Sequence, residues 1–193
     1  LGSTFNWNFD AGNIVSGTNQ GPYSVDWSTA GVKNITLSVT SGSCTSPITT
    51  VPVTINPIPM LVLSPGSTIC TGESDTLTAS GATTYSWSPA LGLNTTVGAS
   101  VIATPASTTT YSVTGTSAGC SDTGSVAVTV SAVPTSLFTA ASPVCAGANT
   151  IITYIGNAPP NANYLWNFDG GAIASGNGQG PDSVNWSTAG IKN

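Results

Sequence analysis

The sequence contains no histidine, and only two basic side chains, Lys33 and Lys192, stand against seven acidic ones in 193 residues. Charged residues make up 5% of the chain, where ordinary domains carry about 25%. Each shortage excludes something. Phosphate neutralisation needs clustered Lys and Arg, so two lysines exclude a nucleic-acid partner. Without imidazole there is no histidine base and no His-ligated metal. The longest apolar run is Met60-Leu61-Val62-Leu63, far below the roughly 18 residues of a membrane helix, so no membrane insertion of this segment is expected. None of Cys44, Cys70, Cys120 and Cys145 forms a CxxC pair, which leaves a zinc ribbon or a thioredoxin-type site without support. A net charge of −5 with 39% hydrophobic residues argues against charge-driven disorder.

What the chain does have is repetition, the first thing to look for in an unfamiliar sequence. Residues 7–34 read WNFDAGNIVSGTNQGPYSVDWSTAGVKN and residues 166–193 read WNFDGGAIASGNGQGPDSVNWSTAGIKN, with 20 of 28 positions identical at a constant offset of 159. The chain returns to its own starting pattern, and we read it as a segment of a longer array. A fainter repeat relates residues 35–55 to 110–130, each an alternating run, a Cys-bearing turn and a second alternating run. Residues 67–87 resemble 142–166 in the same way, from Cys-x-Gly to Tyr-x-Trp.

The 159-residue period therefore holds two related units. Their boundaries fall at Pro57-Ile58-Pro59 and Val133-Pro134, which read as short stiff linkers. This divides the chain into residues 1–57, the back part of one unit; 58–132, a complete unit; and 133–193, the front part of the next. Runs such as Ile35–Thr40, Thr110–Val113 and Val126–Val130 alternate with period two and are rich in Thr and Val. Such runs predict strands with one face inward. Short strands separated by Gly, Pro and Ser turns predict β-sandwiches, hence an all-β chain of tandem sandwiches like beads on a string.

Spaced cysteines in a Thr-rich β chain suggest disulfides and an oxidising compartment. Unit logic pairs Cys70 with Cys120, closing a loop of about 50 residues and adding roughly 4 kcal/mol in the chain-entropy model. Cys44 and Cys145 are left to partners outside the segment, or else are free and buried. Trp7, Trp87 and Trp166 are expected as core anchors rather than sugar platforms, Trp27 and Trp186 lie beside turns, and Trp87 follows Cys70 by 17 residues as in a sandwich core. Calcium favours carboxylates and carbonyls, which makes Asp10 and Asp169 the candidate ligands; the competing role is that of turn residues. Glu73 and Asp75 lie two apart, but neighbours on a sandwich edge seldom face a sugar cleft, and the serines lack an obvious base. No catalytic residue is expected, and the chain is not expected to be an enzyme.

The segments ICTGESDTLTASGATTYSWSPALGLN, VIATPASTTTYSVTG and GCSDTGSVAVTV in the middle unit resemble the Ig-like repeats of large secreted Bacteroidota proteins. YLWNFDGG at 164–171, WSTAGIKN at 186–193 and WSTAGVKNITLSVTSGSC at 27–44 resemble PKD-like repeats from the same proteins. Here Asp10-Ala11-Gly12 or Asp169-Gly170-Gly171 replaces the usual Gly-Asp-Gly, and Trp27 or Trp186 replaces a Tyr, so this is a PKD-like variant. Alternation of the two repeat types is similar to the stalks of giant surface adhesins, including SprB-like gliding-motility adhesins exported by type IX secretion. That resemblance implies tandem Ig-like and PKD-like β-sandwiches at the extracellular face of a cell. The implied partners are a surface polysaccharide, another extracellular surface, or neighbouring copies of the chain. Asp75-Thr76-Leu77 and Asp182-Ser183-Val184 match an Asp-[Ser/Thr]-apolar pattern similar to Bacteroidota O-glycosylation sites, at Thr76 and Ser183. The alternatives are a polysaccharide-binding or spacer module of a secreted hydrolase, or a self-assembling filament without a specific ligand.

Overall fold

A computed structural model describes residues 2–176 and 178–192, and the described residues form strands and no helix. The chain divides into two compact units, up to Ser131 and from Ala132, and each is taken by itself.

The first unit opens with β1 (Ser3–Asn8), β2 (Asn13–Ser16), β3 (Ser24–Asp26), β4 (Gly31–Ser41), β5 (Cys44–Thr45) and β6 (Thr49–Ile55). β4 is the centre of an antiparallel sheet. It pairs with β1 on one edge, Trp7 opposite Leu37, and with β5 and β6 on the other, Ile35 opposite Val51. β2 and β3 form a separate ribbon with a register shift between Ile14 and Ser16. Apolar cover here is thin: Phe9 is the one buried hydrophobic among the described residues of this stretch.

The same unit continues through β7 (Val62–Leu63), β8 (Ser67–Cys70), β9 (Asp75–Ser80), β10 (Thr84–Ser88), β11 (Ser100–Ala103), β12 (Thr109–Ser117) and β13 (Cys120–Ser131). Two sheets result, in the orders β11-β9-β7 and β10-β12-β13-β8. Alternation aims Leu77 and Ala79 of β9, Val101 and Ala103 of β11, Tyr111 and Val113 of β12, and Val126 and Val128 of β13 into one core. Trp87 of β10 joins them at 3% exposure, and its indole Nε1 donates to the Gly98 carbonyl at 2.9 Å. Burying each of these large side chains stabilises by about 1.5–3 kcal/mol, which is why this sandwich holds its layers together. Gly81 has φ +97°, and a Cβ there would overlap the Met60 carbonyl oxygen, so the turn into β10 needs glycine.

β8 pairs with β13 in parallel, Ser67 opposite Val128 and Cys70 opposite Ser131. That register corrects the expected Cys70–Cys120 bridge. Cys120 is the first residue of the 12-residue β13, whereas Cys70 lies beside its last. At about 3.3 Å per residue the two sit roughly 35 Å apart along the strand, against the about 4.4–6.8 Å between Cα atoms that a disulfide allows. No disulfide joins any two of the four cysteines within these residues, and Cys44 and Cys145 are exposed rather than buried.

The second unit comprises β14 (Phe138–Ala140), β15 (Asn149–Tyr154), β16 (Ala172–Ser175) and β17 (Asp182–Asn185), in one antiparallel sheet of order β14-β15-β17-β16. Ile152 and Val184 are its buried hydrophobics among the described residues.

Candidate functional site

The repeated 28-residue segment builds the same turn twice, and this aromatic turn is the most distinctive surface of the chain. In the first copy Trp7 and Phe9 stack with ring centroids 5.6 Å apart and planes 7° apart. In the second, Trp166 and Phe168 stack at 5.7 Å and 13°. Trp7 Nε1 donates to the Asn19 carbonyl at 3.0 Å, and Trp166 Nε1 to the Gly178 carbonyl at 2.8 Å, both twelve residues on. Trp27 Nε1 donates to the Phe9 carbonyl at 2.8 Å, and Trp186 Nε1 to the Phe168 carbonyl at 2.7 Å. The backbone N–H groups of Gly12 and Gly171 donate to the same two carbonyls. Each indole thus ties one end of the turn to the other while its ring supplies apolar area.

Glycine is required at one point of this turn. A Cβ on Gly12 would lie 2.5 Å from Val25 and 2.7 Å from the Trp27 indole nitrogen, and one on Gly171 would meet Val184 and Trp186 in the same way. The indole therefore packs directly onto backbone.

The calcium candidates take part in holding the turn. The Asp10 backbone N–H donates to Asn8 Oδ1 at 2.9 Å, and its carboxylate Oδ2 accepts the Asn34 N–H at 2.8 Å. The Asp169 N–H donates to Asn167 Oδ1 at 3.1 Å. Both residues have positive φ, 51° and 48°, a conformation Asp tolerates by bonding locally. Among the described residues no group of three metal-ligating side chains comes together.

The remaining expected residues fall as follows. Trp87 is a core anchor, whereas Trp7, Trp166, Trp27 and Trp186 are half-buried within the aromatic turns. Glu73 Oε2 accepts the Cys70 N–H at 3.0 Å, and Asp75 Oδ2 accepts the Ser67 hydroxyl at 2.6 Å. Thr76 is exposed on β9, but Ser183 is only 8% exposed in β17, between β15 and β16. The expected glycan at Ser183 is thereby corrected, because its hydroxyl has no room for a sugar in the folded sheet. Sequence reading missed Tyr23, which leans its ring edge on Trp7 at 5.6 Å and lies 5.0 Å from Phe9. Its signal was weak: the second copy has Asp182 in that place. Asp182 is buried, and neither carboxylate oxygen has a hydrogen-bond partner among the described residues.

An apolar groove of about 380 Å³ opens in the first copy between Trp7, Tyr23, Val25, Trp27, Ile35 and Val53. Its walls carry no charged group, so it suits apolar packing and offers no acid, base or nucleophile.

No family model matches the chain, and no curated protein does. Solved structures do. The I-band fragment I67-I69 from titin is 14% identical, with 94% of this chain and 76% of that chain covered at a TM-score of 0.45. The N-terminal eight Ig domains of Down Syndrome Cell Adhesion Molecule isoform 1.30.30 are 14% identical, with 96% and 33% covered at 0.46. Domains 4 and 5 of the S-layer protein SbsC are 17% identical, with 66% and 70% covered at 0.24. The strand order of the middle sandwich, three strands facing β10-β12-β13, is that of immunoglobulin domains. The fold is Ig-like. In Ig-like terms the sheet of residues 138–185 corresponds to β11-β9-β7, and the sheet β1-β4-β6 corresponds to β10-β12-β13.

Proposed function

We propose that this chain is a repeat segment of a large extracellular, cell-surface adhesin or filament, acting as a stalk or as a multivalent adhesive array in surface attachment. The observation that carries the reading is the aromatic turn, built twice from one repeated segment with the same two indole-to-carbonyl bonds in each copy. A module that rebuilds itself at a fixed interval is a unit of an array, and an array multiplies weak contacts without new chemistry. Roles in gliding motility and export by type IX secretion are the finer form of this proposal and rest on the sequence resemblance. The chain is non-catalytic in this reading, since Glu73 and Asp75 are each engaged in holding the local backbone and Ser67.

Immunogold electron microscopy of intact cells, with an antibody to the 159-residue period, tests the proposal. Two sandwiches in series span roughly 60–90 Å, from strands of about 20–25 Å plus turns and linkers. Gold strung along surface fibres at multiples of that spacing is the expected result. Label confined to the medium, or one particle per molecule, would overturn it.

A further inference from the structure

The joint between the sheet of β1, β4 and β6 and the middle sandwich lies inside the first compact unit. β6 ends at Ile55, paired with Gly31 of β4. Asn56-Pro57-Ile58-Pro59 follows. Each proline fixes its own φ and restricts the residue before it, so the whole run has little backbone freedom. Pro59 is buried, while Ile58 and Met60 are 70% and 81% exposed. Just beyond, the Met60 carbonyl oxygen takes the place a Cβ would have at Gly81, and Leu61 packs over Gly115 and joins the rim of the core. The chain is therefore seated on the middle sandwich from Pro59 onward.

Asn56 adds a second attachment, on the hairpin turn that joins β12 to β13. Its Nδ2 donates to the Ala118 carbonyl at 2.8 Å, and its own backbone carbonyl accepts from the Cys120 thiol at 3.6 Å. These partners lie 62 and 64 residues away in sequence, so only the fold brings them together. Ala118 and Gly119 have φ of 48° and 82°, positive at both central residues as the tightest hairpins require. Alanine is an uncommon occupant of that left-handed region, where its Cβ crowds the following carbonyl. Strain of this kind persists where the surroundings hold it, and the carbonyl of this strained residue is the group that Asn56 binds.

We propose that Asn56 is a clasp that locks this joint, so that the sheet of β1, β4 and β6 and the middle sandwich move as one rigid body. Sparse contacts ordinarily leave neighbouring sandwiches free to swing. A solvent-exposed hydrogen bond is weak by itself. It suffices here because the two prolines leave little freedom to freeze, and a preorganised segment gives up less on docking. In a chain of repeats such a joint holds one unit at a set angle to the next, which a flexible linker does not. The proposal goes beyond the surface-stalk reading and concerns the purified chain, so either stands or falls without the other.

The test is a distance between two spin labels. The chain carrying Cys70→Ser, Cys120→Ser, Cys145→Ser and Thr76→Cys has one thiol on each side of the joint, at Cys44 in β5 and at the exposed position 76 in β9. Cys120→Ser keeps a donor for the Asn56 carbonyl. Double electron–electron resonance of nitroxides at the two positions should give one narrow distance distribution, and adding Asn56→Ala should broaden it. A broad distribution with Asn56 in place, or equal widths with and without it, would overturn the proposal. Limited proteolysis of the chain with its native cysteines covers the case in which the labelled variant misfolds. Proteinase K cleavage between residues 56 and 61 tracks the population of the undocked linker, so loss of one hydrogen bond in Asn56→Ala should speed it about two- to tenfold. Equal cleavage rates would overturn the clasp.

Discussion

The indole Nε1 of Trp27 donates to the carbonyl oxygen of Phe9 across eighteen residues of chain, at 2.8 Å. This bond closes the repeated turn over Gly12, and Trp186 reproduces it on Phe168. Trp27→Phe keeps an apolar ring and removes the donor. Loss of the bond and of part of the ring volume is expected to lower stability by about 1–3 kcal/mol. Urea unfolding followed by the remaining tryptophans measures it, and Trp186→Phe should give a similar loss in the second unit.

Removing cysteines from the middle sandwich should be nearly silent. Because Cys70 and Cys120 stand at opposite ends of β13, Cys70→Ser with Cys120→Ser is expected to change unfolding free energy by less than about 1 kcal/mol, where loss of a native disulfide costs about 2–5. Four thiols should react with Ellman's reagent in denaturant without prior reduction.

Leu77 and Val62 separate core from surface. Leu77 is 0% exposed between the two sheets and Val62 is 61% exposed on β7. Leu77→Ala is expected to cost about 2–5 kcal/mol through a cavity, and Val62→Ala to stay within about 0.5. Denaturant midpoints of the two variants check the contrast.

Tyr111 gives the stability of the sandwich a pH dependence. Its ring is fully buried and its hydroxyl donates to the Leu91 carbonyl at 2.8 Å. Burial pushes the phenol above its usual value near 10, against a smaller opposing effect of a hydrogen bond with Thr109. The folded state then keeps its proton where the unfolded chain loses it. This contribution is complete below pH about 10 and is lost as pH rises from there through the raised folded value. Tyr111→Phe should flatten that alkaline fall in a series of urea midpoints between pH 8 and 11, while lowering stability at neutral pH by about 1 kcal/mol.

Asp182 occupies in the second turn the place of Tyr23 in the first, buried with neither carboxylate oxygen bonded among the described residues. A neutral amide of the same size costs less to bury than a carboxylate. Asp182→Asn is expected to raise the stability of the second unit by about 1–3 kcal/mol at neutral pH, read from its thermal midpoint.

The sequence by itself determined the strands and the turn. Alternating Thr and Val runs such as Thr110–Val113 and Val126–Val130 became β12 and β13, because a period of two suits only a pleated strand between core and solvent. The two copies of the aromatic turn made matching indole bonds at spacings of twelve and eighteen residues, since those partners lie within the repeated segment and travel with it. Tertiary structure alone decided the rest. Trp7-Asn8 ends β1, which owes its ladder to β4, whereas Trp166-Asn167 lies in no strand among the described residues. The cysteine pairing misread from spacing was settled by the parallel register of β8 on β13. Both outcomes share one physical reason. A strand owes its hydrogen bonds to a second strand distant in sequence, so its own residues specify which faces alternate but not which neighbour it finds, or in which direction that neighbour runs.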